Sequence, residues 1–308
     1  MTDTTDVISG GGEGGEIRRL VRAHGEPHDV TVVIPAYQRA DLVGRAVLSA
    51  LAQRPRPAAD VVVVDDGSTD GTGEVAGALG ATVLRQPNAG EGAARNAGLR
   101  AARTRWVALL DSDDEWLPGH LAALMPHTPG AVLVAGIARG VPSGRLAGSP
   151  ARAVQRIGPR EVVWPQSPFA PSAVVLDRDR TLAVGGFPEL RLGADLDLWL
   201  RLLETGPGVV VPEVTCVYAE HAGQVSGDPA QMRRARHQVV ARHAAAAWFD
   251  PALPARMDAV DRWDEFRQGG PTGVGGSGRA LAAVLADGPR AWAAVAQTVR
   301  WRLAGRFR

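Results

Sequence analysis

Three apolar runs in this chain pass without a break into polar turns, and this arrangement restricts the fold more than any other feature. Trp106 and the run Val107-Ala108-Leu109-Leu110 end at Asp111-Ser112-Asp113-Asp114. Val61-Val62-Val63-Val64 ends at Asp65-Asp66-Gly67-Ser68-Thr69-Asp70-Gly71. Residues 30–34 are Val-Thr-Val-Val-Ile and end at Pro35-Ala36-Tyr37-Gln38-Arg39. Short continuous runs of this kind mark strands buried on both faces, as in parallel sheets. Between the two earliest runs, Leu42, Val43, Ala46, Val47, Ala50 and Leu51 recur at helical spacing on one face. Strand, helix, strand and acidic turn together predict a right-handed βαβ unit. Open sheets of this type bind ligands beyond the carboxyl ends of their strands, and the acids fall there.

Asp111, Asp113 and Asp114 lie within four residues of one another. Such a cluster repels itself unless something positive sits within it. A hard divalent cation takes oxygen ligands and leaves room for water and substrate phosphates. The cluster therefore predicts a metal–diphosphate site at a strand end. The plainer reading, a solvated turn with a helix cap, ranks behind it because a buried strand leads straight into the acids.

Composition removes several function classes. The formal net charge of +1 gives no argument for nucleic acid as a partner. All 34 basic residues are arginine, so neither a P-loop lysine nor Schiff-base chemistry is available. A single cysteine, Cys216, rules out internal disulfides and a cysteine metal cage. No apolar run approaches the ~18–20 residues that cross a bilayer, and no signal peptide is evident. The expectation is a cytoplasmic protein, soluble or peripheral at the inner face of the membrane.

Residues 1–28 read as mostly disordered. From 29 to 125 strands and helices alternate, with helices expected at 41–53, 72–79 and 90–103 and a short strand at 81–85. From 126 to 226 strands are expected at 131–137, 173–176, 209–211 and 214–218, with a helix at 195–203. This half should extend the sheet and build an acceptor side. Residues 227–308 read as a helical extension: helices at 231–248 and 251–266, a flexible linker at 268–278, and a last helix at 290–308. On that last helix Trp292, Val295, Val299, Leu303 and Phe307 share a face among four arginines. It can pack on its own domain, pair two subunits in a homodimer, or lie on an anionic membrane. Trp301 points off the stripe, which favours packing.

In order and spacing, VTVVIPAYQR, VVVVDDGSTDGT, NAGEGAARNAGLRAA and WVALLDSDDEWLP resemble the family 2 glycosyltransferases of GT-A fold. The likeness continues through SPFAPSAVVLDRDRTLAVGGFPEL, LGADLDLWLRL and CVYAEHAGQVS. It spans about residues 29–226 and implies an α/β fold, a mixed and mainly parallel sheet flanked by helices. It also implies an inverting transfer of a sugar from a nucleoside-diphosphate sugar to a glycan, lipid, peptide or natural-product acceptor. Within that resemblance Pro35, Ala36, Tyr37, Arg39, Asp66, Arg95, Asp111 and Ser112 line the donor. Tyr37 stacks and Asp66 accepts hydrogen bonds from the base. Asp113 is the expected ligand of Mn²⁺ or Mg²⁺, with Asp114 and His221 as further candidates. Asp195 aligns with the catalytic base, while Ala194 replaces the usual preceding Glu. Asp197 is expected in helix capping or structural pairing, Trp199 in the core, and Gly185 and Gly186 in a tight turn. Two readings compete: a non-catalytic relative that binds a nucleotide sugar, favoured only by Ala194, and a nucleotidyltransferase. The second lacks its Gly-rich, basic loop after the first strand.

Overall fold

The computed structural model describes residues 6–8, 28–55, 57–144, 146–147, 153–163, 169–220 and 228–267. The first half is the expected alternating unit. An edge strand β1 (Asp6–Ile8) precedes β2 (His28–Ala36), α1 (Val43–Leu51), β3 (Ala58–Asp65), α2 (Thr72–Ala78), β4 (Thr82–Arg85), α3 (Glu91–Ala101) and β5 (Trp106–Leu109). Strands β4, β3, β2 and β5 lie side by side in that order and all parallel. Their carboxyl ends therefore open on one edge of the sheet. The continuous apolar runs are explained by burial on both faces. Val30, Val32, Ile34, Val61 and Val63 enter the layer that holds α1, while Val33, Val62 and Val64 enter the layer that holds α3. Helix α3 approaches β2 closely because Gly98 has no side chain; a Cβ there would collide with Val33.

The second half adds β6 (Glu115–Trp116), α4 (His120–Leu124), β7 (Leu133–Val141), β8 (Leu146–Ala147), β9 (Gln155–Ile157), α5 (Pro159–Val163), β10 (Val174–Asp177), α6 (Arg178–Ala183), α7 (Ala194–Leu203) and β11 (Gly208–Ala219). The full sheet has 11 strands. β10 runs antiparallel between β5 and β7, and β11 returns parallel to β7. Where two short strands were expected at 209–211 and 214–218, one strand of 12 residues forms, with register shifts between Val210 and Cys216. Pro212 lies inside the irregular stretch and has no N–H to give the ladder, so the chain bulges and then resumes pairing.

Helices α8 (Pro229–Arg242) and α9 (Leu253–Arg267) follow. Asp228 starts α8 by accepting from the amides of Ala230 and Gln231, with Pro229 in the first turn. The helix expected to reach residue 248 stops at Arg242 despite the alanines beyond it. His243 there turns to Asp197 (3.2 Å) and Trp248 donates to Glu204 (2.7 Å), so tertiary contacts override helix propensity. The edge strand β1, paired with β4, was not anticipated within residues 1–28. The linker at 268–278 and the helix at 290–308 lie outside the described residues. Among those described, no helix is long and apolar enough to cross a membrane.

One buried group gives the fold a pH dependence. His120 stacks on Trp116 at a centroid distance of 4.0 Å, and burial pushes its imidazole down to about 3. Folded His120 stays neutral, whereas the unfolded side chain protonates below ~6.5. The unfolded state then binds more protons, so stability falls as pH drops from about 6.5 towards about 3. In urea titrations at pH 7 and pH 5, wild type should lose roughly 2 kcal/mol more than His120→Phe. Equal losses would disprove a buried neutral imidazole.

Candidate active site

The carboxyl ends of β2, β3 and β5 supply three turns, and a fourth group of residues comes from α3 and α7. Pro35 and Ala36 end β2 and are buried, Tyr37 beyond them is 48% exposed, and Arg39 is half-buried. Gln38 takes a left-handed φ of 53°, an uncommon conformation for a side chain of this size. Its amide N–H donates to Ser68 Oγ at 3.0 Å, and its side chain exchanges hydrogen bonds with Thr69. Gln38 thereby ties the turn after β2 to the turn after β3. The backbone amides of Arg39 and Ala40 donate to Thr72 Oγ1 and Asp70. Asp70 also accepts from Thr72, whose hydroxyl and amide hold its carboxyl below the usual range. Asp65 accepts from Ser68 N (2.9 Å) and faces Arg85. Asp65 and Asp70 are thus turn-forming residues, a use of aspartate common where the backbone reverses.

Asp66 is almost fully buried. It accepts from Gln86 Nε2 (2.7 Å), Ala89 N (2.9 Å) and Gly90 N (2.8 Å). Three of its roughly four acceptor positions are therefore filled by protein donors. The base contact expected for Asp66 is limited to what remains. Its evident task is to fix the loop that enters α3.

Helix α3 carries Glu91 and Arg95 one turn apart. Arg95 is buried and donates to Glu91 (2.7 Å) and to Asp111 (2.6 Å). Burial opposes its charge, but Asp111, Glu91 and then Asp195 more than offset this and raise its pKa. Its guanidinium lies over the Phe187 ring at 5.2 Å, and its Nε has no hydrogen-bond partner among the described residues. Asp111, expected against the ribose or bound water, is thus paired with an arginine. Ser112 is buried behind it and Asp113 is half-buried. Asp114 turns inward instead. It is bound by Ser172 Oγ (2.5 Å) and Ala219 N (3.0 Å), and burial together with Asp111 pushes its carboxyl up to about 8. A buried carboxyl with both oxygens engaged is a strut of the turn, so the structure does not favour Asp114 as a metal ligand. Ser172 also accepts from Asp111 N (3.0 Å), bracing the turn from β10's side. His221 lies outside the described residues.

Asp195 sits in the first turn of α7 behind Gly193, whose φ of 75° caps the helix. It is half-buried; burial raises its carboxyl pKa, only partly countered by the Leu196 amide and Arg95. Asp195 and Asp111 feel each other's charge, and Glu91 feels Asp111, Asp195 and Asp113. The structure therefore brings Arg95, Asp111, Asp113 and Asp195 into one electrostatic cluster. It adds Glu91, which the sequence reading missed although its i,i+4 spacing to Arg95 is a legible pairing signal. Ala194 leaves no carboxylate before Asp195, and Glu91 supplies one from another helix. No group of three His, Cys, Asp or Glu side chains forms a preassembled metal cage among the described residues. The donor set fits the other mode, in which one or two carboxylates share a divalent ion with substrate phosphates.

The Glycosyl transferase family 2 model matches residues 31–160. An uncharacterized glycosyltransferase of Mycobacterium bovis is 34% identical over 195 residues, which are 60% of this chain and 84% of that protein. The chain belongs to glycosyltransferase family 2. The pre-mycofactocin glycosyltransferase of Mycobacterium tuberculosis is 35% identical over 211 residues, covering 64% of this chain and 44% of the relative. The chain spans 30% and 44% of the length of two longer curated relatives it matches. Among solved structures, Staphylococcus aureus TarS with UDP-GlcNAc aligns with a TM-score of 0.62 at 19% identity, covering 90% of this chain and 88% of that one. The Pyrobaculum calidifontis mannosyltransferase with GDP-Man and Mn²⁺ aligns with a TM-score of 0.58 at 21% identity, over 94% and 87%. At these identities the structures establish the shared GT-A fold.

In this family 2 chain the Asp66 hydrogen bonds have a measurable consequence. Asp66→Ala leaves three donors without their acceptor and should cost roughly 2–4 kcal/mol of stability. Urea unfolding will show it. A variant as stable as wild type would leave Asp66 a ligand-binding residue only.

Proposed function

We propose that this chain transfers a sugar, with inversion, from a nucleoside-diphosphate sugar to an acceptor hydroxyl, assisted by Mn²⁺ or Mg²⁺. The observation that carries this reading is the cluster at the strand ends. Around one buried guanidinium, Arg95, stand Glu91, Asp111, Asp113 and Asp195. This excess of negative charge suits a cation. The binding of GDP-Man and Mn²⁺ by the mannosyltransferase of the same fold supports the choice of ligands. Residues 29–125 are proposed as the donor half, 126–226 as the acceptor half, and 227–308 as a helical extension. We propose a cytoplasmic setting for the protein, with the segment beyond residue 267 as a contact to its own domain, to a second subunit or to the membrane.

In the proposed reaction Pro35, Ala36 and Tyr37 receive the nucleoside, and the exposed Tyr37 ring is available to stack on the base. Arg39 and the remaining acceptor position of Asp66 orient it. Asp111, held by Arg95, and Ser112 present the acid turn to the ribose and diphosphate. Asp113 is the proposed metal ligand, and a cation held there would offset the charge of the departing nucleoside diphosphate. Asp195 draws the proton from the acceptor hydroxyl as its oxygen bonds to the anomeric carbon and the bond to the diphosphate oxygen breaks. A raised carboxyl pKa suits this task, because a stronger base takes a proton more readily at neutral pH.

The first test is turnover of UDP- and GDP-sugars by the purified chain. Asp113→Ala should abolish turnover while the protein stays folded. A chelator should reproduce the loss and Mn²⁺ or Mg²⁺ reverse it; full activity in the chelator would remove the metal from the reaction. Asp195→Asn should lower turnover by ~10²–10⁴-fold with donor affinity nearly unchanged. Because the folded carboxyl is raised, the wild-type rate should climb with pH through a limb above the ordinary carboxylate range. Near-normal turnover in Asp195→Asn would overturn the base assignment.

A further inference from the structure

We infer that Arg201 is a positioning residue for Arg95 and the acid turn, held in place by Asp197 and, from the C-terminal extension, by His243. The inference rests on the proposed transfer reaction for its kinetic readout alone.

Arg201 lies two turns beyond Asp195 on α7 and touches none of the proposed reacting groups. Its Nε donates to Asp197 Oδ2 at 2.8 Å. Its two terminal nitrogens donate to the carbonyls of Val184 and Gly186, the second at 2.8 Å. One planar fork thus grips a carboxylate and two carbonyls of the same turn, a geometry that lysine cannot reproduce. That turn is tightly shaped: Gly185 and Gly186 have φ of 93° and 66°, and a Cβ on Gly186 would collide with Asn96. Phe187 follows. Its amide donates to Asn96 Oδ1 and its carbonyl accepts from Asn96 Nδ2, both at 2.8 Å. Its ring supports Arg95 from below at 5.2 Å and meets Trp199 edge-on at 6.1 Å. Arg95 in turn holds Asp111. A continuous chain of contacts therefore runs from Arg201 through the 184–187 turn to the acid turn at the end of β5.

The outer end of the chain is in the extension. Asp197 is buried. Burial would raise its carboxyl, but His243 and Arg201 bind it and bring it below the usual value. His243 Nε2 stands 3.2 Å and Arg242 Nε 3.7 Å from Asp197 Oδ1. The same helix touches the start of α7: a Cβ on Gly193 would lie 2.9 Å from Val239 Cγ2. The extension is thus seated against the helix that carries both Asp195 and Arg201.

The test uses the full chain with Arg201→Met, Arg201→Lys, Phe187→Leu and the Arg201→Met/Phe187→Leu pair. It measures amide hydrogen exchange and, below the melting temperature, turnover per folded molecule. Arg201→Met should speed exchange at 184–188 and at 91–96 and lower kcat roughly 10–100-fold, since small misplacements in a site are costly. Arg201→Lys should recover only part of it. The double variant should lose no more than the worse single one, because both act on one path. Unchanged exchange at 91–96, wild-type turnover in folded Arg201→Met, or additive losses would each overturn the inference. If Arg201→Met does not fold, Arg201→Lys with Phe187→Leu decides the same points. Absence of turnover in wild type would refute the transfer reading, and the exchange measurement would still decide this one.

Discussion

The pairing of Arg95 with Asp111 is the interaction on which the arrangement of the site depends. A guanidinium removed from water is tolerable only with its charge compensated, and Asp111 and Glu91 provide that compensation. The acids at the end of β5 are in turn kept from flying apart by the same cation. Because Arg95 belongs to α3 and Asp111 to the turn after β5, the pair also joins two parts of the sheet edge that the backbone ladder does not connect. Asn96, the next residue on α3, locks the 185–187 turn with paired hydrogen bonds. One helical turn thus reaches both the turn after β5 and the 185–187 turn before α7.

Several acidic residues at the strand ends are engaged by other parts of the chain. Asp65 and Asp70 shape the turn after β3, Asp66 fixes the entry to α3, and Asp114 ties the β5 turn to Ser172 and to the end of β11. These bonds hold the neighbouring side chains still. A site built to bind a charged, flexible donor gains from walls that are already in place, since less order has to be imposed on binding.

The parallel half was legible because its signals are local and redundant: β-branched runs, a helix of period 3.6 between them, and acids at their ends. Trp199 lies in the core and Asp197 is paired with Arg201 and His243, as expected from the resemblance of this segment. The role of Asp66 was not legible, because an aspartate looks the same whether its oxygens meet a ligand or three amides brought in from 20 to 24 residues away. Strand β6, two residues long, carries no period at all. The split predicted within β11 coincides with Pro212, where the ladder is interrupted, although the strand rejoins beyond it. Ser172 gave no signal, since its function lies in two partners about 60 residues distant.

Gly193 has a bearing on how such a chain can diversify. Its missing side chain is the seat for Val239, and its positive φ starts the helix that bears Asp195. Any larger residue there would both strain the helix start and push the extension away. A larger residue at position 239 of α8 would likewise have to be matched at the start of α7. Redesign of either helix would have to treat the two as one cassette.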